Sequence, residues 1–204
     1  MRELSWKETS ERRKIKILKK KMAEKHKKLI EEIELPQGIS AEASRDFFIL
    51  RNGSKEIKKR FTGAFIESKD GKIIMSTNRA TKRERKVMKT YAAHIKNIIN
   101  GLNKDFVYKL KICSVHFPMT VSVDKNSHEI IIKNFLGEKR ERRAKILPNT
   151  NVEVNGADII VSSFDIENAG QTAANIEKAT KIRYRDRRIF QDGIFMTEKA
   201  GEKI

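Results

Sequence analysis

Residues 90–95 read TYAAHI and residues 171–176 read QTAANI, so the pattern Ala-Ala-x-Ile recurs 81 residues further along the chain. A second pair, FILRN at residues 48–52 and IIIKN at residues 130–134, matches at an offset of 82 residues. Two matches at nearly the same offset, in the same strand-then-helix order, indicate an internal duplication. We therefore predict an α+β protein of two tandem duplicated domains, each a small antiparallel sheet packed with one helix.

A basic extension precedes the duplicated region, since residues 1–28 hold twelve Lys and Arg but four Glu. Apolar residues at helical spacing predict a helix over residues 10–33, which Pro36 and Gly38 end. Such a helix either packs on its own protein or docks on RNA or a neighbouring protein, and we favour docking. The predicted domains are a basic N-terminal helical extension at 1–32, a first repeat at 33–114 and a second repeat at 115–204.

The first repeat opens with strands and closes with a helix and a strand. Turn signals at Asn52-Gly53 and Asp70-Gly71 predict two β-hairpins. A three-four apolar stripe predicts a helix over residues 82–101, with Gly101 as its C-terminal stop. Residues 106–113 then alternate between apolar and basic side chains, which predicts a half-buried strand that closes the first repeat.

The second repeat follows the same order. Residues 120–123 and 129–133 predict one hairpin, and residues 152–154 and 158–161 predict another around Asn155-Gly156. A short helix is predicted over residues 169–180 and a last strand over residues 188–196.

The chain carries 45 Lys and Arg against 27 Asp and Glu, a net charge of +18. An excess of this size indicates a polyanionic partner, and nucleic acid is favoured because every neutralised phosphate releases counterions. An anionic membrane is the weaker interpretation. Besides the extension, basic runs occur at residues 79–89, 139–145 and 181–188. One such run is often a solvated face, whereas four in one chain suggest a protein embedded in nucleic acid.

Other classes of protein fit the sequence poorly. The longest unbroken apolar run is four residues, at 47–50, against the roughly 20 needed to span a membrane. A lone Cys113 has no disulfide partner, and the first residues lack the apolar stretch of a secretory signal, so we expect an intracellular, reducing environment.

Catalytic motifs are missing as well. The four histidines have no metal-ligand spacing, the isolated glycines form no phosphate-cradling loop, and no carboxylate pair suits acid–base chemistry. We therefore predict no enzymatic activity, no metal, no cofactor and no small-molecule substrate. An RNA-modifying enzyme would need one of these features.

Several stretches resemble the ribosomal protein L6 family of the large subunit, in its archaeal and eukaryotic form (L9 in the eukaryotic count). The most specific is NFLGEK at residues 134–139 followed by Arg142-Arg143. VHFP at 115–118, the helix at 171–180 and RIFQDGIF at 188–195 are similar to that family at the corresponding places. The first repeat is similar more loosely, over residues 33–61 and 82–101.

This resemblance implies two duplicated α+β domains and no catalytic role. It also implies one copy per ribosome, bound to large-subunit ribosomal RNA near the sarcin–ricin loop and the stalk base, beside neighbouring ribosomal proteins. The corresponding location is the cytoplasm, in ribosomes, with assembly in the nucleolus if the source is eukaryotic. A free-standing basic RNA-binding protein, such as an architectural or ribosome-assembly factor, stays open as the alternative.

The Arg-rich runs make the second repeat the predicted main RNA-binding domain. A strand over residues 181–187 would present its cations on one face about 7 Å apart, close to phosphate spacing. Gly137 in a turn would let the backbone approach RNA. With 7% aromatic residues, we expect recognition of backbone and folded shape rather than of splayed bases. The candidate RNA-binding residues are Asn134, Gly137, Lys139, Arg140, Arg142, Arg143, Lys181, Arg183, Arg185, Arg187 and Arg188, with Lys58, Lys59 and Arg60 in the first repeat.

Overall fold

The computed structural model describes residues 29–44, 47–63, 65–69, 71–78, 80–186 and 188–204. Over these residues the chain forms antiparallel sheets and two helices, which confirms the predicted α+β class. It divides into two compact units, residues 1–96 and 97–204. The predicted helix at 10–33 is wrong over its last residues, since Leu29–Glu34 is a strand. Its remainder lies outside the described residues.

The described residues of the first unit form six strands in two antiparallel sheets. The strands are β1 (Leu29–Glu34), β2 (Ser40–Ala43), β3 (Phe48–Asn52), β4 (Lys55–Lys59), β5 (Phe65–Lys69) and β6 (Lys72–Thr77). One sheet has the order β2-β3-β4 and the other β1-β6-β5. Both predicted hairpins are confirmed, as β3–β4 and β5–β6. The buried side chains include Leu50, Ile57, Ile73 and Met75, which supply the apolar side of each sheet.

Helix α1 (Lys82–Asn103) follows and continues into the second unit. Gly101 does not end it, which corrects the prediction. A methyl group at Gly101 would lie 2.0 Å from the carbonyl oxygen of Phe164 and 2.8 Å from the Phe106 ring. Glycine is therefore present because the helix passes against backbone, and not because the chain turns there.

Over its described residues, the second unit forms eight strands and the second helix. The strands are β7 (Phe106–Cys113), β8 (Thr120–Asp124), β9 (Glu129–Lys133), β10 (Arg142–Lys145), β11 (Asn151–Asn155), β12 (Asp158–Ser163), β13 (Gly193–Lys199) and β14 (Glu202–Lys203). Helix α2 spans Ile166–Ala179, close to the prediction, with Asp165 capping its first turn. The sheets have the orders β10-β9-β8 and β11-β12-β7-β13-β14.

The duplication is visible in the strand order. Strands β3 and β9, which carry the matching FILRN and IIIKN segments, are each the middle strand of a three-stranded sheet. The order β1-β6-β5 of the first unit recurs as β7-β12-β11 in the second, and the two matching Ala-Ala-x-Ile segments lie in α1 and α2. Strand β7 therefore corresponds to β1.

Strand β7 differs from its predicted assignment to the first repeat. It pairs with β12 on one side and β13 on the other, at the centre of the five-stranded sheet. Tyr108 and Leu110 are buried in one apolar cluster with Ile159, Val161 and Ile194. The alternation of β7 predicted a half-buried strand correctly, but alternation does not identify the neighbouring strands.

The predicted last strand begins later than expected. Strand β13 starts at Gly193, and the preceding residues 188–192 form a turn and an irregular segment. The chain reverses there because the backbone oxygen of Asp186 accepts hydrogen bonds from the amides of Ile189 (3.2 Å) and Phe190 (3.0 Å).

Candidate nucleic-acid interface

A tight turn follows β9 in the second unit and contains the most specific predicted motif. Asn134, Leu136 and Gly137 all have positive φ, at 58°, 50° and 76°. The buried Phe135 ring anchors the turn, and the Asn134 side-chain amide donates to the Pro118 carbonyl at 2.9 Å. Glycine at 137 is required by its left-handed φ. The side chain of Asn134 thus holds the turn in place.

Arg142 connects this turn to the end of α2. Its guanidinium donates to both carboxylate oxygens of Glu138, at 2.8 and 2.6 Å, and to the Ala179 carbonyl at 2.9 Å. It also lies 4.2 Å from the centre of the Phe135 ring. A fork–fork ion pair of this kind is stronger than a single charged contact. Arg142 therefore stabilises the fold of the second unit.

Glu138 brings the two predicted Arg-rich runs together. The hydrogen bonds from Arg142 hold the pKa of Glu138 below its usual value, and the charges of Arg142 and Arg185 lower it further. Arg142 of the first run contacts this carboxylate, and the charge of Arg185 from the second run also acts on it, so one residue of each run lies near Glu138. We call the exposed residues Lys139, Arg140, Lys181, Arg183 and Arg185 the basic surface.

A buried carboxylate fixes the base of the loop 181–192. Asp192 is 2% exposed and accepts hydrogen bonds from the backbone amides of Val115 and His116, while its second oxygen contacts His116 Nδ1. The His116 ring stacks on Phe190 with centroids 5.2 Å apart, and the Arg185 guanidinium lies 4.9 Å from the Phe190 ring. These contacts hold the end of the loop next to the start of β13.

The Asp192 carboxylate makes the fold sensitive to acid. Burial alone would raise its pKa, but the hydrogen bonds from His116 and Val115 outweigh burial, and the pKa of Asp192 is lowered. A carboxylate with a lowered pKa stabilises the fold above its unfolded value near pH 4, and this contribution is lost as the pH falls through the folded pKa.

We therefore expect Asp192→Asn to lower the free energy of unfolding by about 2 kcal/mol at pH 7. The difference between wild type and variant should begin to shrink below about pH 4, where the carboxyl of the unfolded chain takes up a proton, and it should be lost as the pH falls through the lowered pKa of the folded state. Urea unfolding at a series of pH values measures both effects. A difference that stays constant down to pH 2 would show that the charge of Asp192 has no part in stability.

Four members of the basic surface are free of ion pairs with the described residues. Lys139, Arg140, Lys181 and Arg183 are exposed and make no ion pair with any described residue. Unpaired like charges on one small unit repel one another, and an external anion would relieve this repulsion. This contrast with Arg142 separates cations that hold the fold from cations that face outward.

The predicted strand over residues 181–187 does not form. Residues 181–183 are irregular, bends occupy 184–185, and Tyr184 has φ of 60°. The period-two row of cations is therefore wrong for Lys181, Arg183 and Arg185, and Arg187 lies outside the described residues. A dense run of like charges repels along one strand face, and no described strand pairs with residues 181–186.

The other predicted contacts are placed differently. Arg143 lies 3.5 Å from Glu129 and 3.6 Å from Glu141, whose carboxylate also contacts Lys133 at 2.9 Å. Arg188 is 3.8 Å from Asp186 but almost fully exposed. In the first unit, the Lys58 ammonium lies 4.1 Å above the Phe47 ring and Arg60 is exposed beside Lys59.

Sequence reasoning missed two features of this region. It treated Tyr184 as part of a strand, whereas the structure leaves this ring fully exposed. It placed Asp192 inside the predicted last strand, although the carboxylate is the buried anchor of the loop. An acidic residue directly before the glycine that opens β13, in so basic a segment, was the available signal.

The described residues contain no group of three or more side chains suited to hold a metal ion. Among the helices of the described region, none is long and apolar enough to cross a membrane.

Comparison with known proteins finds similarity to one family of ribosomal proteins. The model of the family described as ribosomal protein L6 matches residues 117–193, which include the turn after β9 and the loop 181–192. Large ribosomal subunit protein uL6 of Methanococcus vannielii is 44% identical over 176 residues, covering 85% of this chain and 96% of the relative. The proteins of the same name from Methanosarcina mazei and Desulfurococcus amylolyticus are 41% and 42% identical, with 99% and 94% of their lengths covered.

Proposed function

Because the chain belongs to the ribosomal protein L6 family, we propose that it is a structural protein of the large ribosomal subunit that binds large-subunit ribosomal RNA. The relatives are named as subunit proteins and not as enzymes, which confirms the prediction that the chain is not an enzyme. Its role is accordingly to hold RNA and neighbouring ribosomal proteins in place during translation.

The basic surface of the second unit is the observation that supports RNA binding. Lys139, Arg140, Lys181 and Arg183 are exposed and unpaired among the described residues, on a protein of net charge +18. The Arg142–Glu138 pair and the buried Asp192 hold in place the backbone segments that carry these four residues. Cations held on a rigid support lose little freedom when they meet phosphates, which favours specific RNA over loose attraction.

The proposal also covers the position of the protein within the ribosome. We infer that the second unit lies near the sarcin–ricin loop and the stalk base, that one copy is present per ribosome, and that the protein works in cytoplasmic ribosomes. The exposed arginines suit this location because a planar guanidinium contacts a phosphate bidentately. Since phosphates carry no sequence information, recognition of that region rests on its folded shape.

Sedimentation distinguishes the proposal from a free-standing RNA-binding factor. A tagged copy of the full chain, expressed in a methanogen, should cosediment with the large subunit, resist a high-salt wash and displace endogenous uL6, so that the two proteins together amount to one copy per particle. Salt-labile association, full retention of endogenous uL6 on particles that carry the tagged chain, or sedimentation with precursor particles alone would identify an assembly factor instead.

A further inference from the structure

Tyr184 is the most exposed of the large hydrophobic side chains among the described residues, with a relative exposure of 103%. Aromatic rings of soluble proteins are normally at least half buried, since their large apolar surface is costly to hydrate. Full exposure leaves both faces of the ring free to contact a partner outside the chain.

The loop holds this ring outward at an energetic cost. Tyr184 has φ of 60°, a left-handed conformation that is an outlier for a bulky residue. The flanking loop is nevertheless defined, because Asp186 closes a turn with Arg188, Ile189 and Phe190. A strained residue that presents its side chain to solvent is typical of a binding position.

Its neighbours in the chain decide what could cover it. Arg183 and Arg185 flank Tyr184, and both are exposed. An apolar protein pocket deep enough to cover the ring would also remove these two guanidinium groups from water, which is costly without paired anions. A nucleotide offers an aromatic base face for the ring and a neighbouring phosphate for Arg183, while Arg185 already lies against the Phe190 ring.

We propose, on the premise that the chain binds ribosomal RNA, that Tyr184 stacks on one unpaired nucleobase of that RNA. The loop 181–192 then reads an unstacked base in addition to backbone phosphates. This extends the expectation from composition, which gave phosphate and shape recognition alone. Arg183 pairs with a phosphate next to the stacked base, while Arg185 stays against the Phe190 ring.

Two variants at this position separate the ring from the backbone and from the hydroxyl group. Tyr184→Asn removes the ring but keeps a residue that tolerates positive φ, so the loop retains its shape. Tyr184→Phe keeps the ring and removes the hydroxyl group. The full chain is assayed against a transcript of large-subunit ribosomal RNA from Methanococcus vannielii, by filter binding at several salt concentrations.

We expect Tyr184→Asn to weaken binding roughly 5- to 150-fold, the range that loss of one stacked base produces. The slope of affinity against salt should not change, because no charge is removed. Tyr184→Phe should bind like the wild type. Ultraviolet cross-linking of the wild-type complex, followed by mass spectrometry, should attach residue 184 to a base.

Two outcomes overturn the stacking proposal alone. Wild-type affinity of Tyr184→Asn would assign the ring to a protein neighbour or to solvent. Equal losses in Tyr184→Asn and Tyr184→Phe would assign binding to the hydroxyl group. Failure of the wild-type chain to bind the transcript would instead overturn the proposed function. Equal thermal melting of the three proteins shows that none of these results comes from misfolding.

Discussion

Replacing Gly101 by alanine is expected to lower the free energy of unfolding by at least about 3 kcal/mol. Two effects oppose each other at this position. Alanine is the better helix former, by about 1 kcal/mol. The added methyl group, however, would lie 2.0 Å from the Phe164 carbonyl oxygen and 2.8 Å from the Phe106 ring. A backbone carbonyl cannot rotate away as a flexible side chain can, so we expect the clash to prevail.

The matched control is Asn100→Ala in the same helix. Asn100 is exposed, and its replacement should raise stability by a few tenths of a kcal/mol through helix propensity alone. Urea unfolding followed by circular dichroism measures both variants. If Gly101→Ala were as stable as Asn100→Ala, helix α1 would have to lie further from Phe164 than the structure places it.

The second large effect concerns two arginines with opposite roles. Arg142→Ala removes three donated hydrogen bonds to Glu138 and Ala179 from a side chain that is 26% exposed. We expect a loss of about 2–3 kcal/mol in stability, since the Glu138 carboxylate and the Ala179 carbonyl are left without this partner. Arg183→Ala, at an exposed and unpaired position, should change stability by less than about 0.5 kcal/mol.

Arg142→Lys tests whether the charge or the shape of the Arg142 side chain stabilises the fold. Lysine keeps the positive charge but lacks the planar fork that contacts Glu138 at two points and Ala179 at a third. We expect most of the loss of Arg142→Ala to remain. A lysine variant as stable as the wild type would show that charge alone, and not the fork geometry, holds the turn after β9 to helix α2.

Sequence reasoning reached most of the fold because its signals were local. The turn signals at Asn52-Gly53 and Asn155-Gly156 and the stripes of α1 and α2 each depend on residues close in the chain, and the repeat was found by comparing such short segments with one another. Strand β7 was given to the wrong neighbours because its pairing with β12 and β13 joins residues some 50 and 80 positions apart, which alternation does not encode.

The roles of the candidate-site residues were harder to predict from the sequence than the fold. Charge counting located the two Arg-rich runs but could not separate Arg142, which is tied to Glu138, from Arg183, which is exposed and unpaired among the described residues. That distinction depends on which carboxylates and carbonyls the fold brings within hydrogen-bond distance. The strained position of Tyr184 was likewise invisible, because tyrosine carries no signal for positive φ.

The salt dependence of RNA binding tests most directly the claim that the unpaired cations of the second unit contact ribosomal RNA. Binding of the full chain to the Methanococcus vannielii transcript is measured over a range of salt concentrations for the wild type, Arg183→Ala and Arg142→Lys. We predict that Arg183→Ala reduces the slope of log affinity against log salt by about 0.7–0.9, the value for one lost phosphate contact, whereas Arg142→Lys leaves it unchanged. An unchanged slope in Arg183→Ala would contradict the assignment of the basic surface to RNA.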